Sequence, residues 1–316
     1  MLKAQKPFFS VIIPTCNRHE QLKTCLKAVS DLDYPKYLFE VIIVDDGSKE
    51  SPESVVKGFE DQLDIMLVRQ ENAGPAAARN AGAAHAGGKI LVFTDDDCPP
   101  GTDWLIKLEK RFSETSDHLI GGRTFNALRD NVYAAASQII FDLVYHYYNP
   151  DPEHARFIGA ANLSVSAEHF RSMGGFNPNF TTAEDREFCD RWLNRGYRII
   201  HAPEAAVYHS HALTFRKFCK QHFDYGRGAF RYQRIRALRK SGGMRSDLKF
   251  HISLPLLLRK HISELPPRQA IIVALLLPVW EIANAAGFFY EKFRLGLYTV
   301  HRHREVQEIP SVSNYR

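Results

Sequence analysis

Three short apolar runs in the first hundred residues constrain this chain most, because each ends on the polar groups that a binding site needs. Phe8–Ile13 stops at Pro14-Thr15, Glu40–Val44 at Asp45-Asp46-Gly47-Ser48, and Ile90–Thr94 at Asp95-Asp96-Asp97. Runs of this length with no polar alternation suit strands buried on both faces. Between them Leu22, Leu26 and Val29 recur at helical spacing, residues 52–62 and Pro75–Ala86 read as helices, and Ile65–Val68 reads as a further strand. Strands alternating with helices predict βαβ units and a mostly parallel sheet flanked by helices. Such sheets bind ligands beyond the carboxyl ends of their strands, which is where the three polar clusters fall.

Several classes are excluded early. After the first strand comes Pro14-Thr15-Cys16-Asn17-Arg18, with no GxGxxG and no P-loop, which disfavours a hydride-transferring dinucleotide enzyme. Five cysteines with no CxxC pair argue against a disulfide framework or a zinc finger. With 316 residues, 45% of them hydrophobic, there is material for one large or two small domains. The apolar run at the start is too short for a secretory signal, so the catalytic parts are expected to face the cytoplasm.

Residues 102–213 are less regular, with helical signals near 102–113 and 183–195 and strand signals near 118–125 and 197–208. The charge divides sharply at residue 214. Residues 1–213 carry 22 Lys+Arg against 29 Asp+Glu, and residues 214–316 carry 19 against 7. The basic part reads as helix, with Phe218, Phe223, Tyr225, Phe230 and Tyr232 interleaved among cations from Thr214 to Lys260. An anionic membrane surface is the partner that this pattern suits, and no nucleic-acid recognition module accompanies it. Ala270–Tyr290 carries one charge, Glu281, over 21 residues. That length just reaches across a bilayer, but Glu281, Pro278 and Asn284 favour an interfacial or hairpin-like contact over a span.

The acidic triplet is the sharpest chemical feature. Three adjacent carboxylates repel one another unless a cation joins them, and a hard divalent ion accepts one or two carboxylates and completes its shell with phosphate oxygens. A solvated turn capping a helix is the alternative reading. Asp45-Asp46-Gly47-Ser48 is likewise either a turn or a carboxylate for a base or ribose hydroxyl.

Six segments in order, FFSVIIPTCNR (8–18), EVIIVDDGS (40–48), ENAGPAAARNAGA (71–83), ILVFTDDDCPP (90–100), GAANLSVSAEHFRSMGGFNPNF (159–180) and AEDREFCDRWLNRGY (183–197), resemble glycosyltransferase family 2. The resemblance covers roughly residues 8–211 and implies the GT-A fold, a Rossmann-like mostly parallel α/β sheet, here over residues 1–213. A nucleotide-binding half would occupy about 1–100 and an acceptor half about 101–213, followed by a helical, membrane-associated extension over 214–316. By position, Pro14, Thr15 and Arg18 would line the nucleotide pocket, Asp46 would hold the base with Asp45 beside it, and Arg79 and Asn80 would order the region near diphosphate and sugar. Asp95 would contact ribose or sugar with Asp96 next to it, and Asp97 would ligate Mn2+ or Mg2+, with Asp95 and His209 as further metal candidates. Glu184 and Asp185 match the catalytic acidic pair, Asp185 as general base. His209 and His211 stay open as alternatives at the metal or diphosphate.

The resemblance therefore implies an inverting, metal-dependent transfer of one sugar from a UDP-, GDP- or dTDP-sugar to an acceptor hydroxyl, on a glycan or lipid-linked acceptor at the cytoplasmic face of a membrane. The Gln-x-x-Arg-Trp motif of processive members is missing after the base, which argues for single addition. A silent nucleotide-sugar-binding or membrane-surface scaffold of the same fold is the alternative, and intact Asp95, Asp97 and Asp185 argue against it.

Overall fold

The computed structural model describes residues 9–115, 117–242, 249–254, 256–258 and 266–307, the side chains of 297–307 excepted. Phe8 and the rest of the first eight residues lie outside them, as do Arg245, Asp247, Arg259 and Lys260 of the basic stretch.

The predicted alternation is present: β1 (Phe9–Thr15), α1 (His19–Ser30), β2 (Phe39–Asp46), α2 (Glu53–Lys57), β3 (Ile65–Gln70), α3 (Pro75–His85) and β4 (Ile90–Thr94) follow in order. Then come α4 (Trp104–Glu114), β5 (Leu119–Asn126), α5 (Val132–Tyr148), β6 (Asn162–Ser166), α6 (Ala167–Ser172), α7 (Glu184–Asn194) and β7 (Ile199–His209). Two long helices follow, α8 (Phe215–Arg239) and α9 (Pro267–Gln307), with helical residues 249–254 and 256–258 between them in sequence.

The seven strands form one sheet in the order β3-β2-β1-β4-β6-β5-β7. β3, β2, β1 and β4 are parallel, β6 runs antiparallel between β4 and β5, and β5 and β7 are parallel. Alternate residues of the buried strands serve opposite faces. Val11, Ile13, Val41, Ile43 and Val92 pack on the side of α1 and α4, whereas Ile12, Ile42, Val44, Leu91 and Phe93 face α3 and α7. Because β6 is reversed, its first residue Asn162 pairs with Thr94, so the segment entering β6 lies at the same edge as Asp95–Asp97.

The elements differ from the sequence reading, or add to it, in three places. The helix read over 52–62 is only Glu53–Lys57. The stretch Gly159–Phe176, named above only for its resemblance, makes strand β6 before the short α6. α5 was not foreseen, because its apolar residues are distributed around much of the helix rather than along one stripe.

α8 and α9 build a third core with α5, through Ile139, Leu143, Phe218, Leu276 and Trp280. They cross so closely that a Cβ on Gly226 would lie 1.9 Å from Asn284 O, and one on Gly287 1.9 Å from Phe223 O. Glycine at the crossing lets the backbones touch. Beside it, buried Glu291 accepts from Arg227 at 3.0 Å, Arg231 at 2.7 Å and Arg294 at 2.6 Å. Further along α8, Arg236 and Arg239 pair with Asp190 of α7 at 3.5 and 3.4 Å. Much of the charge that sequence assigned to a solvent or lipid face is thus spent inside the protein, and Phe218 and Phe230 pack inward with it.

Candidate active site

The carboxyl ends of β1, β2 and β4, the Gly159–Ala161 segment, the start of α7 and the inner faces of α5 and α8 enclose a cavity of about 770 Å³. Pro14, Thr15, Arg18, Asp46, Arg79, Asp95, Asp96, Glu184, Asp185, His209 and His211 all line it. Residues from widely separated parts of the sequence therefore converge on one cavity, while Asp97 is not among those that line it.

The acidic triplet sits in a turn after β4, closed by Cys98 N donating to Asp95 O at 3.0 Å. Its three side chains diverge. Asp95 accepts from Arg79 Nη2 at 2.6 Å. Asp96 accepts from the Thr15 hydroxyl at 2.7 Å and from Arg18 at 3.0 Å. Asp97 accepts from the same Arg18 nitrogen at 3.0 Å and faces His209 Nε2 at 3.5 Å. The mutual repulsion is thus balanced by the protein's own cations, a solution the sequence argument had not considered. Burial pushes Asp96 up to about 6, against the pull of Arg18 and the Thr15 hydroxyl. Burial also resists ionisation of Asp97, but His209 and Arg18 overcome it and hold this carboxyl well below the usual range.

The end of β7 places the histidines. Tyr208 N donates to Pro99 O at 2.9 Å and Ser210 N to Asp97 O at 2.8 Å, which zips this strand end along the triplet's turn. His209 thereby meets Asp97, while His211 stacks edge-on against His209 with centroids 5.3 Å apart. Burial would depress the His209 imidazole, but Asp97 lifts it above its ordinary value. His211 goes the other way, lowered by burial and by the charge of His209. Between the two, geometry selects His209 as the partner of Asp97.

Asp97, His209 and Cys98 bring one ligand atom each within 4.8 Å of one another. A carboxylate and an imidazole fit Mn2+ or Mg2+ with phosphate oxygens completing the shell. Burial keeps the Cys98 thiol protonated, so it is a poor donor for a hard ion. Asp95 stands outside this cluster, occupied by Arg79.

Across the cavity, Ala183 holds a left-handed backbone (φ 68°, ψ 19°) immediately before α7. Strain of this kind in a non-glycine residue concentrates at functional sites. It precedes Glu184 and Asp185 in the first helical turn, where carboxylates are favoured by the helix dipole. Glu184 accepts from Arg79 Nη1 at 2.7 Å. Asp185 Oδ1 accepts from Arg186 N at 2.7 Å, and Oδ2 faces Ala160 N at 3.3 Å. Burial and then the neighbouring charge of Glu184 raise the Asp185 carboxyl to about 7.

Two expected site residues do other work. Asp45 is fully buried and closes its turn, accepting from Ser48 N at 3.0 Å and Arg69 Nε at 2.9 Å, and it does not line the cavity. Asn80 pins the loop at Phe176, donating to its carbonyl at 2.7 Å and accepting from its N–H at 2.8 Å. Asp46 does reach the cavity, with Gln70, Ala73 N and Gly74 N already donating to it at 2.7–2.9 Å. The sequence reading overlooked Ser137, Gln138 and Phe141 of α5 and Gln221 and His222 of α8, which also line the cavity. Only their helical spacing could have grouped them.

A mixed sheet with a carboxylate cluster at its strand ends and a second acidic pair across one cavity defines a nucleotide-sugar transferase of GT-A type. The comparisons make that specific. The glycosyl transferase family 2 profile matches residues 10–173, and that of glycosyl transferase family group 2 matches 125–290. Glycosyltransferase AglE of Haloferax volcanii is 31% identical over 226 residues, 70% of this chain and 73% of its own. The pre-mycofactocin glycosyltransferase of Mycobacterium tuberculosis is 26% identical over 227 residues, 70% of this chain but 46% of its own. Among solved structures, mannosyltransferase PcManGT of Pyrobaculum calidifontis, in complex with GDP-Man and Mn2+, shares the fold with a TM-score of 0.68 at 20% identity, covering 92% of this chain and 89% of its own. The chain belongs to glycosyltransferase family 2 and is a glycosyltransferase that uses a nucleotide-sugar donor.

Proposed function

We propose that the protein transfers a single sugar, with inversion and with a divalent metal, from a nucleotide sugar to an acceptor hydroxyl on a membrane-linked glycan or lipid. The observation that carries this reading is Arg79, which joins the donor-side Asp95 to the acceptor-side Glu184 within one cavity. The donor's base and ribose lie against Pro14, Thr15 and Asp46, whose carboxylate keeps one acceptor site open beyond its three bonds. Asp97 and His209 hold the metal, which when bound supplies charge stabilisation for the leaving diphosphate. Arg18 and Arg79 contribute fixed positive charge at the same place, the kind of preorganised electrostatics that favours a developing anion.

Asp185 takes the proton of the acceptor hydroxyl. A base is most useful when its pKa lies near the working pH, and burial beside Glu184 moves Asp185 there. One donor carboxylate cluster and one separate base suffice for direct displacement at the anomeric carbon.

Membrane attachment draws support from α9. Ile271, Leu275, Ile282, Phe289 and Phe293 lie exposed along one stripe, opposite the face that packs on α8 and α5. A surface helix in water carries polar groups there. Pro267–Gly296 is long and apolar enough to cross a bilayer by length and composition. Its packed face and the pairing of Glu281 with His251 at 2.8 Å favour a helix lying in the interface at the cytoplasmic side. A relative in Methanococcus voltae, 25% identical over 236 residues, is named as acting on a dolichyl phosphate-linked sugar, which fits such an acceptor.

A thermal-shift panel of UDP, GDP, dTDP and CDP, each with Mn2+ and with chelator, tests the reading. Stabilisation by one nucleotide only with metal is expected and names the donor's base. No shift with any of the four, metal present, overturns the proposal.

A further inference from the structure

Beyond the carboxylates the cavity continues into a chamber between α5, α8 and α9 that the donor has no reason to fill. Its apolar walls come from Ile140, Phe141 and Val144 of α5, from Phe250, which packs on Tyr147 and Tyr148 of the same helix, and from Trp280 of α9. α8 presents Gln221, His222 and Tyr225 to it, a helical face at i, i+1 and i+4. Of the arginines among the cavity's lining residues, Arg18 and Arg79 pair with the carboxylates, whereas Arg186 lies over the rings of Tyr148, Phe157 and Tyr232 where α5 meets α8; no lysine is among them.

Tyr225 stands apart from its neighbours. It is 48% exposed, lines the cavity, and its hydroxyl has no hydrogen-bond partner among the described residues. The ring is steadied by an edge contact with His222, centroids 5.7 Å apart. Next to it, Gly226 lets α9 approach so closely that a Cβ there would lie 1.9 Å from Asn284 O. His222 is kept neutral by burial, which lowers it to about 4.

We propose that this chamber is the acceptor subsite, taking an uncharged sugar ring with an apolar aglycone, and that Tyr225 is its positioning residue. The inference rests on the transferase reading above and deepens it. The face of an aromatic ring is electron-rich and attracts the C–H face of a sugar. The Tyr225 hydroxyl donates to one ring oxygen or hydroxyl and so turns another hydroxyl toward Asp185. Apolar walls with a few directed polar groups are how such pockets fix a ligand's orientation. The charges that act at Tyr225 are those of Asp185, Glu184, Asp95 and Asp97, and four carboxylates there favour a neutral ring over an acidic one.

The test uses octyl β-D-glucopyranoside, below its micelle-forming concentration, with the full chain as wild type, Tyr225→Phe and Tyr225→Ala. Saturation-transfer NMR reports which protons of the probe touch the protein, and the nucleotide panel with Mn2+ is run on each variant as control. Strong saturation of the sugar-ring protons is expected in the wild type, with a loss of about fivefold or more in Tyr225→Ala and most of it restored in Tyr225→Phe. Nucleotide stabilisation stays the same in all three. Equal ring saturation in Tyr225→Ala, or saturation confined to the octyl chain, overturns the subsite. If no nucleotide stabilises any variant while ring saturation still falls in Tyr225→Ala, the transferase reading fails and the sugar subsite stands.

Discussion

Arg79 donates to Glu184 at 2.7 Å across 105 residues of chain. The other arm of the same guanidinium reaches Asp95 at 2.6 Å, so a planar fork with two fixed directions sets the spacing between donor-side and acceptor-side carboxylates. Its side chain is 5% exposed and its Nε has no partner among the described residues. A lysine can neutralise charge here but cannot hold both carboxylates in one plane.

Arg79→Met should therefore remove turnover and lower unfolding free energy by about 3–5 kcal/mol, the cost of leaving buried charges unpaired. Arg79→Lys should recover part of the stability in urea unfolding and little of the turnover. Equal activity in Arg79→Lys and wild type would show that the fork is dispensable.

The pH dependence of turnover should follow Asp185. Its carboxyl sits near 7, above an unfolded value of about 4, so the base form is lost as pH falls through 7 and the rate falls with it. The stability consequence has the opposite sense. A raised carboxylate pKa favours the fold at low pH, and that contribution is lost as pH rises from the unfolded value through the folded one. Asp185→Asn should keep metal-dependent nucleotide binding, abolish transfer, and flatten this part of the stability profile. Residual transfer with an unchanged pH limb would assign the base elsewhere.

His209 and His211 should separate cleanly. Asp97→Asn is expected to abolish the Mn2+-dependent part of nucleotide stabilisation, and His209→Ala to weaken it by roughly 10–100-fold in metal affinity. His211→Ala should retain most of it, because that ring touches His209 rather than Asp97. Titration of Mn2+ against nucleotide-saturated protein reads all three. A larger loss in His211→Ala than in His209→Ala contradicts the assignment.

Strands were legible where burial on both faces made them continuous apolar runs, as at Glu40–Val44 and Ile90–Thr94, and Asp95–Asp97 followed because strand ends meet at one edge. Local pattern could not show what a side chain meets across the fold. Asp45 and Asp46 are adjacent and alike, yet Arg69 and Ser48 take the first while the second reaches the cavity. Nor could local pattern show that Asn80 does its ordering by holding the backbone of Phe176, 96 residues away. The basic stretch misled for the same reason. Arg227, Arg231, Arg236 and Arg239 read as surface cations, but their partners Glu291 and Asp190 lie on other helices.

With those arginines tied into ion pairs inside the protein, apolar contact rather than charge should dominate membrane attachment. Ile282 is 71% and Phe289 50% exposed on the stripe of α9 that faces away from α8. Burying one such side chain contributes about 1.5–3 kcal/mol, so an Ile282→Glu, Phe289→Glu double variant should lose vesicle binding by well over tenfold. Neither side chain belongs to the core built by α5, α8 and α9, so folding and metal-dependent nucleotide stabilisation should be unchanged. Co-sedimentation with phosphatidylglycerol–phosphatidylcholine vesicles at low and high salt measures this directly. Binding that survives the double variant but vanishes at high salt would return the weight to the remaining exposed cations of α8, Arg216, Lys217 and Lys220 among them.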